Sequence, residues 1–188
     1  MADRSRSSTD HCIDRRKCMN AVREISREGD AHGENSERDA QEFVTLRLGA
    51  EEYGIDILCV QEIRSYEAPT RIANAPAHIT GVVNLRGVIV PIMDLRIKFA
   101  LESVEYNEST VVIVLNVGSR TVGIVVDAVG DVLKLKPADR RPAPALGASI
   151  DTGFITDLGS VKGEDGERML ILLDIERLIT VSDVGPFA

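Results

Sequence analysis

Tryptophan is absent from the 188 residues, and three tyrosines with four phenylalanines are the whole aromatic complement. Sugars and unstacked nucleobases are held on aromatic rings, so a chain this poor in rings is a weak candidate for either. Basic charge is short as well. The chain carries 22 Lys/Arg against 30 Asp/Glu, and −7 of its net charge of −8 falls after residue 40. A field of that sign repels nucleic acid and anionic lipid surfaces, so neither is expected as a partner. No apolar run approaches the roughly 18 residues that suggest a membrane span. The N-terminus lacks the apolar core of a signal peptide, which makes a cytoplasmic location the expectation, with no membrane insertion.

Reactive groups are equally sparse. Of the three cysteines, Cys12 and Cys18 precede residue 40 and Cys59 lies in an apolar run, so no disulfide framework is implied. His11, Cys12, Cys18 and His32 lack the close Cys-x-x-Cys pair of a zinc site, and no metal or other cofactor is expected. Past residue 40 the only histidine is His78, in a loop beside Pro76. Phosphate-loop, nucleophile-elbow and His-Glu-x-x-His patterns are missing. Cys59, between Leu58 and Val60, reads as a small buried hydrophobe. A carboxylate-dependent hydrolase built on Asp56, Glu62 and Asp94 is the one remaining catalytic reading. The expectation is a protein that is not an enzyme.

What the chain does contain begins near Gln41. Residues 1–40 hold 8 Lys/Arg and 9 Asp/Glu with few apolar residues, a composition expected to stay disordered. Their one helical stretch, "IDRRKCMNAVREISRE", is too short to be stable without a core to pack on. From Phe43 onward, short β-branched runs alternate with turn residues, as strands do. The sequence then repeats itself. At a constant offset of 69, Phe43 falls on Val112, Leu46 on Leu115, Gly49 on Gly118, Gly54 on Gly123, Val60 on Val129, Glu62 on Asp131 and Ile63 on Val132. A second block, "TGVVNLRG…VIVPIMDL" against "TGFITDLG…RMLILLDI", matches Gly81 with Gly153 and Asp94 with Asp174. Acids recurring at matched places suit turns or helix caps better than chemistry.

Each copy is too small to bury a large core alone, so two small β-barrels packed together is the economical architecture. The apolar runs are too continuous for strands with one wet face. Burial from both sides accounts for most of that, and any aliphatic groove left between the barrels would suit a helix of a partner protein.

Several blocks in order, "EEYGIDILCVQEIR", "TRIANAPAHITGVVNLRGVIVPIMDLR", "VVIVLNVGSRTVGIVVDAVGDVL" and "RMLILLDIE", closely resemble the CheW family of chemotaxis coupling proteins. The resemblance implies an all-β fold of two SH3-like five-stranded barrels around a shared hydrophobic core. The tail over 1–40, expected to be disordered from its composition, lies largely outside the resemblance. The resemblance implies a CheW-like domain over 41–182, with repeats at about 43–100 and 110–180 that intertwining would allow to share strands. The family also implies a scaffold that bridges the histidine kinase CheA to the cytoplasmic tips of methyl-accepting chemoreceptors, recruited to membrane-associated arrays. A free-standing copy of the kinase's regulatory domain would share the fold.

By the same resemblance Glu62 of "VQEI" and Arg86 of "NLRG" belong to the coupling surface. A groove between the barrels maps onto Ile55, Ile57, Val60, Gly81, Gly123, Val129 and Val132. An arginine buried or half-buried among valines must be paired, because desolvating it alone costs several kcal/mol, and Glu62 is the natural partner. The alternative is an exposed hairpin arginine facing water. Deleting residues 1–40 is expected to leave affinity for the kinase within a factor of about three, since a segment so poor in apolar residues buries little. A binding titration of the truncated chain that lost tenfold or more would identify the tail as an interaction element.

Overall fold

The computed structural model describes residues 40–144, 153–163 and 166–179. All but the last residue of the expected tail, with His11, Cys12, Cys18 and His32, lie outside them. The described residues contain eleven strands: β1 Gln41–Leu48, β2 Glu51–Asp56, β3 Val60–Ser65, β4 Ile79–Leu85, β5 Val88–Asp94, β6 Val111–Val117, β7 Arg120–Val126, β8 Ala128–Leu135, β9 Arg140–Pro142, β10 Ile155–Gly163 and β11 Gly166–Leu173. One-turn helices α1 (Leu95–Lys98) and α2 (Ile175–Leu178) follow β5 and β11, and 3-10 turns occupy Ile57–Cys59 and Pro137–Asp139. Among the described residues no helix is long and apolar enough to cross a membrane.

The six-stranded sheet runs β8-β1-β2-β11-β10-β9 and the five-stranded sheet β3-β6-β7-β5-β4. Exchanging each strand for its repeat counterpart (β1 for β6, β2 for β7, β8 for β3, β11 for β5, β10 for β4) converts one order into the other. The repeats are therefore interleaved, each sheet taking its central β1–β2 or β6–β7 hairpin from one copy and its flanks from the other. Registers agree residue by residue. Leu46 faces Val129 as Leu115 faces Val60, Val44 faces Val132 as Ile113 faces Ile63, and in the parallel pairings Gly54 faces Leu172 as Gly123 faces Ile92.

The second block is matched differently from its sequence. Gly81 faces Ile92 and Asp157 faces Leu172, each two residues past a bulge that begins at Ile79 or Ile155. Gly81 thus corresponds to Asp157. Gly153 lies in a turn before β10, so the expected match of Gly81 with Gly153 fails by four residues. The shared Thr-Gly dipeptide misleads because ladder register, set by bulge and pairing, overrides local identity.

Both sheets curl until the chain leaving one edge meets the other. After β3, Thr70 exchanges two backbone hydrogen bonds of 2.9 Å with Val82 of β4. After β8 the corresponding segment is long enough to count as β9, with Arg141 facing Leu158 of β10. The expected five-stranded unit accordingly gains a sixth strand in one copy only.

Burial from two sides is the rule. Within β6, Ile113 and Leu115 enter the core between the sheets, while Val112 and Val114 enter the interior of the five-stranded sheet. Phe43, Leu135, Leu170 and Leu172 fill the other sheet. At each parallel crossing a glycine is required. A Cβ on Gly123 would stand 2.5 Å from Ile92 Cδ1, and one on Gly54 would stand 2.8 Å from Leu172 Cδ2. Both close approaches are where the repeats interleave.

One buried ionic cluster ties these parts together. Asp94 caps α1 by accepting from Arg96 N–H at 3.0 Å, as Asp174 caps α2 by accepting from Arg177 N–H. Arg96 turns back onto the same carboxylate, Nε to Oδ1 at 3.0 Å and Nη2 to Oδ2 at 2.8 Å, with both side chains at 0% exposure. Its Nη1 donates to Asp127 Oδ1 at 2.9 Å and to Glu105 O at 2.6 Å. Asp127 in turn accepts from Gly49 N–H at 2.7 Å. The guanidinium lies 4.6 Å from the centre of the Tyr106 ring. Burial first, and then donation of its hydroxyl to Asp94, push the Tyr106 phenol up to about 12. Burial pulls the Arg96 guanidinium down, but its bonds to Asp94 and Asp127 more than reverse this, so it is held firmly charged.

Removing one partner of such a cluster leaves a buried charge without compensation. Arg96→Met is expected to cost about 3–5 kcal/mol in denaturant unfolding. A loss under about 1 kcal/mol, the scale of an exposed pair, would contradict the assignment.

Candidate partner-binding surface

Arg86 and Gly87 are the two residues between β4 and β5, with Leu85 facing Val88 across the hairpin. Their φ angles of 53° and 92° lie in the left-handed region, where Asn-Gly or Asp-Gly is the low-strain choice for a two-residue turn. Asn84 Oδ1 accepts Gly87 N–H at 2.7 Å and braces the bend. From that tip Arg86 reaches Glu62, Nη2 to Oε2 at 3.0 Å, with the arginine side chain 81% exposed and the glutamate 24%. The expectation of a buried or half-buried Arg86 is corrected: a two-residue turn at a sheet edge offers no interior. The expected pairing with Glu62 is nevertheless present. In water such a pair contributes about 0.2–1 kcal/mol, so its stabilising role is small.

Glu62 sits just past an irregularity in β3, where Val60 faces Leu115 and Glu62 faces Val114, leaving Gln61 as an extra residue. Bulges re-aim side chains at sheet edges. Because β3 and β4 are opposite edges of the five-stranded sheet, the ion pair joins edge to edge, beside the Thr70–Val82 bridge. Gly81 makes that bridge close: a Cβ there would stand 2.2 Å from Thr70 O. Ile63, next to Glu62, and Val88 and Ile89, just past the turn, are exposed aliphatics. This corner is therefore charged at its centre and apolar in its sequence neighbours.

The remaining candidates divide by depth. Ile55 is fully buried in the core between the sheets, and Gly81 and Gly123 are enclosed, so none of the three is at the surface. Ile57, Val60 and Val129 are half-buried at the margin of that central core, and Val132 is exposed. Val60 and Val129 occupy matched positions beside the β3 and β8 irregularities.

Asp56, Glu62 and Asp94 are each engaged separately. Asp56 caps the 3-10 turn through Leu58 N–H and accepts from Gln41 Nε2, Glu62 holds Arg86, and Asp94 holds Arg96. Cys59 is half-buried against the central core, and burial, then Asp56, Glu176 and Asp174, push its thiol up. Among the described residues no group of three His, Cys, Asp or Glu is placed to hold a metal ion. Sequence reasoning missed Leu58, Val88 and Ile89, whose exposure is hidden inside continuous apolar runs. For Leu58 a signal did exist: Asp56 two residues earlier is the cap that opens a turn.

The family model for the CheW-like domain matches residues 42–183. Chemotaxis protein CheW of Klebsiella aerogenes is 59% identical over 145 residues, covering 77% of this chain and 85% of that protein. Chemotaxis protein CheW of Rhizobium meliloti is 33% identical over 136 residues, covering 72% and 85%. The crystal structure of the scaffolding protein TtCheW from Thermoanaerobacter tengcongensis superposes with a TM-score of 0.67 at 29% identity, over 77% of this chain and 95% of that one. The family match, the level of identity and the structural superposition agree, and the chain belongs to the CheW-like domain family.

Proposed function

We propose that this protein is a non-catalytic adaptor of bacterial chemotaxis, coupling methyl-accepting chemoreceptors to the histidine kinase CheA. It works in the cytoplasm and is recruited to membrane-associated receptor arrays. Its relatives' names, chemotaxis proteins and a scaffolding protein, support the class of function. The observation that carries the residue assignment is the exposed Arg86–Glu62 pair at a strained turn. A long side chain in the left-handed region is disfavoured, and the pair contributes little to stability. Strain at a position that the fold does not require points to use by a partner.

Glu62 and Arg86 form the centre of the coupling surface. Ile57, Val60, Val129 and Val132 offer the apolar contacts of the groove, where aliphatic side chains suit the apolar stripe of a receptor helix. Ile55, Gly81 and Gly123 act from behind, as packing that fixes this wall.

Substituting Arg86 separates folding from coupling. Arg86→Asn suits the turn better, so its unfolding free energy should match or exceed the wild type by up to about 1 kcal/mol, while receptor-controlled kinase activation in reconstituted arrays is lost. Reversing both charges, Arg86→Glu with Glu62→Arg, should recover stability; recovery of coupling too would mean that the pair only shapes the loop. Kinase control at the wild-type level in Arg86→Asn would reduce this arginine to a turn residue.

A further inference from the structure

We propose that Asn84 is a positioning residue: it holds Arg86 in the left-handed turn and so presents the guanidinium to Glu62. This inference rests on the reading of the Arg86–Glu62 pair given above. Arg86 belongs to a small set of non-glycine residues with positive φ among those described, with Asn74 and Ala100. Arginine has no short polar side chain to bond its own backbone, so the conformation needs support from outside the residue. Asn84 gives that support through the 2.7 Å bond from Gly87 N–H, which closes the bend around Arg86. Asn84 is itself exposed, opposite Ile89 in the ladder, so its side chain is not core.

Comparison of the two repeats argues that the clamp is specific to this hairpin. The ladder register matches Asn84, opposite Ile89, with Ser160, opposite Met169. Ser160 instead bonds across the ladder to Glu167 Oε1. Its hairpin is longer and continues to Gly163 opposite Gly166. The glycine crossings at Gly54 and Gly123 recur in both repeats, whereas this clamp does not. The Asn84 clamp is found where the arginine is.

The test follows Arg86 by NMR exchange of its guanidinium protons, alongside kinase control in reconstituted arrays. Asn84→Ala should speed that exchange about fivefold, the equilibrium shift of one net hydrogen bond, and lower kinase control toward the level of Arg86→Ala. Asn84→Asp keeps the acceptor and should restore both readouts, which also covers the case of Asn84→Ala failing to fold. In the Arg86→Ala background, Asn84→Ala should cause no further loss of coupling. Wild-type guanidinium exchange in Asn84→Ala overturns the proposal, as does a further loss in the Arg86→Ala background. Faster exchange with kinase control intact in both single variants upholds the positioning role and overturns the coupling assignment of Arg86.

Discussion

Parallel pairing of β2 with β11 and of β5 with β7 is the constraint on which the molecule rests. Neither repeat can complete a sheet from its own strands, because each central hairpin belongs to the other copy. The parallel contacts succeed only because Gly54 and Gly123 let Leu172 and Ile92 lie across them. Strands that are covered on both faces by this arrangement bury aliphatic side chains on alternate residues into two different cores. Such sharing resolves the difficulty that each repeat alone is too small to fold stably.

Electrostatics secures the same joint. Arg96 is fully buried and bonds Asp94 at the end of β5, Asp127 between β7 and β8, and the backbone at Glu105 in the connection between repeats. Through Gly49 the network also reaches the β1–β2 turn. Strands from both copies are thus fixed around one cation. An arrangement of this kind is costly to break and keeps the sheets in one register. Far from this buried joint, Arg86 stands 81% exposed on its two-residue turn.

The duplication was legible because glycines and apolar residues recur at a constant spacing, and Gly49 and Gly118 do share left-handed turns at φ 61° and 59°. That the repeats could intertwine was an open reading, but which strands they exchange was not legible. The apolar run of β1 marks it as a buried strand, but it is silent on whether β3 or β8 lies beside it. Arg96 was overlooked for a related reason: its counterpart in the second repeat, two residues after the matched cap Asp174, is Glu176. Self-comparison therefore carried no hint of a buried cation. Arg86 was paired with the correct acid but placed too deep, since surrounding valines suggested burial where the Arg-Gly pair marks a tip. Ile55 and Gly123 show the converse error, as family-level mapping onto a groove does not distinguish a wall from the packing behind it.

The interleaved scaffold presents one corner where the Arg86–Glu62 pair stands beside the exposed aliphatics Ile63, Val88 and Ile89. Placing a photo-cross-linking residue at Val88, which is 57% exposed beside the Arg86 turn, interrogates that corner directly. In arrays reconstituted with the kinase and a receptor signalling fragment, illumination is predicted to give an adduct with one of those two partners, which is lost with the partner's removal. Failure to form either adduct at Val88 in arrays with normal kinase control would contradict the account.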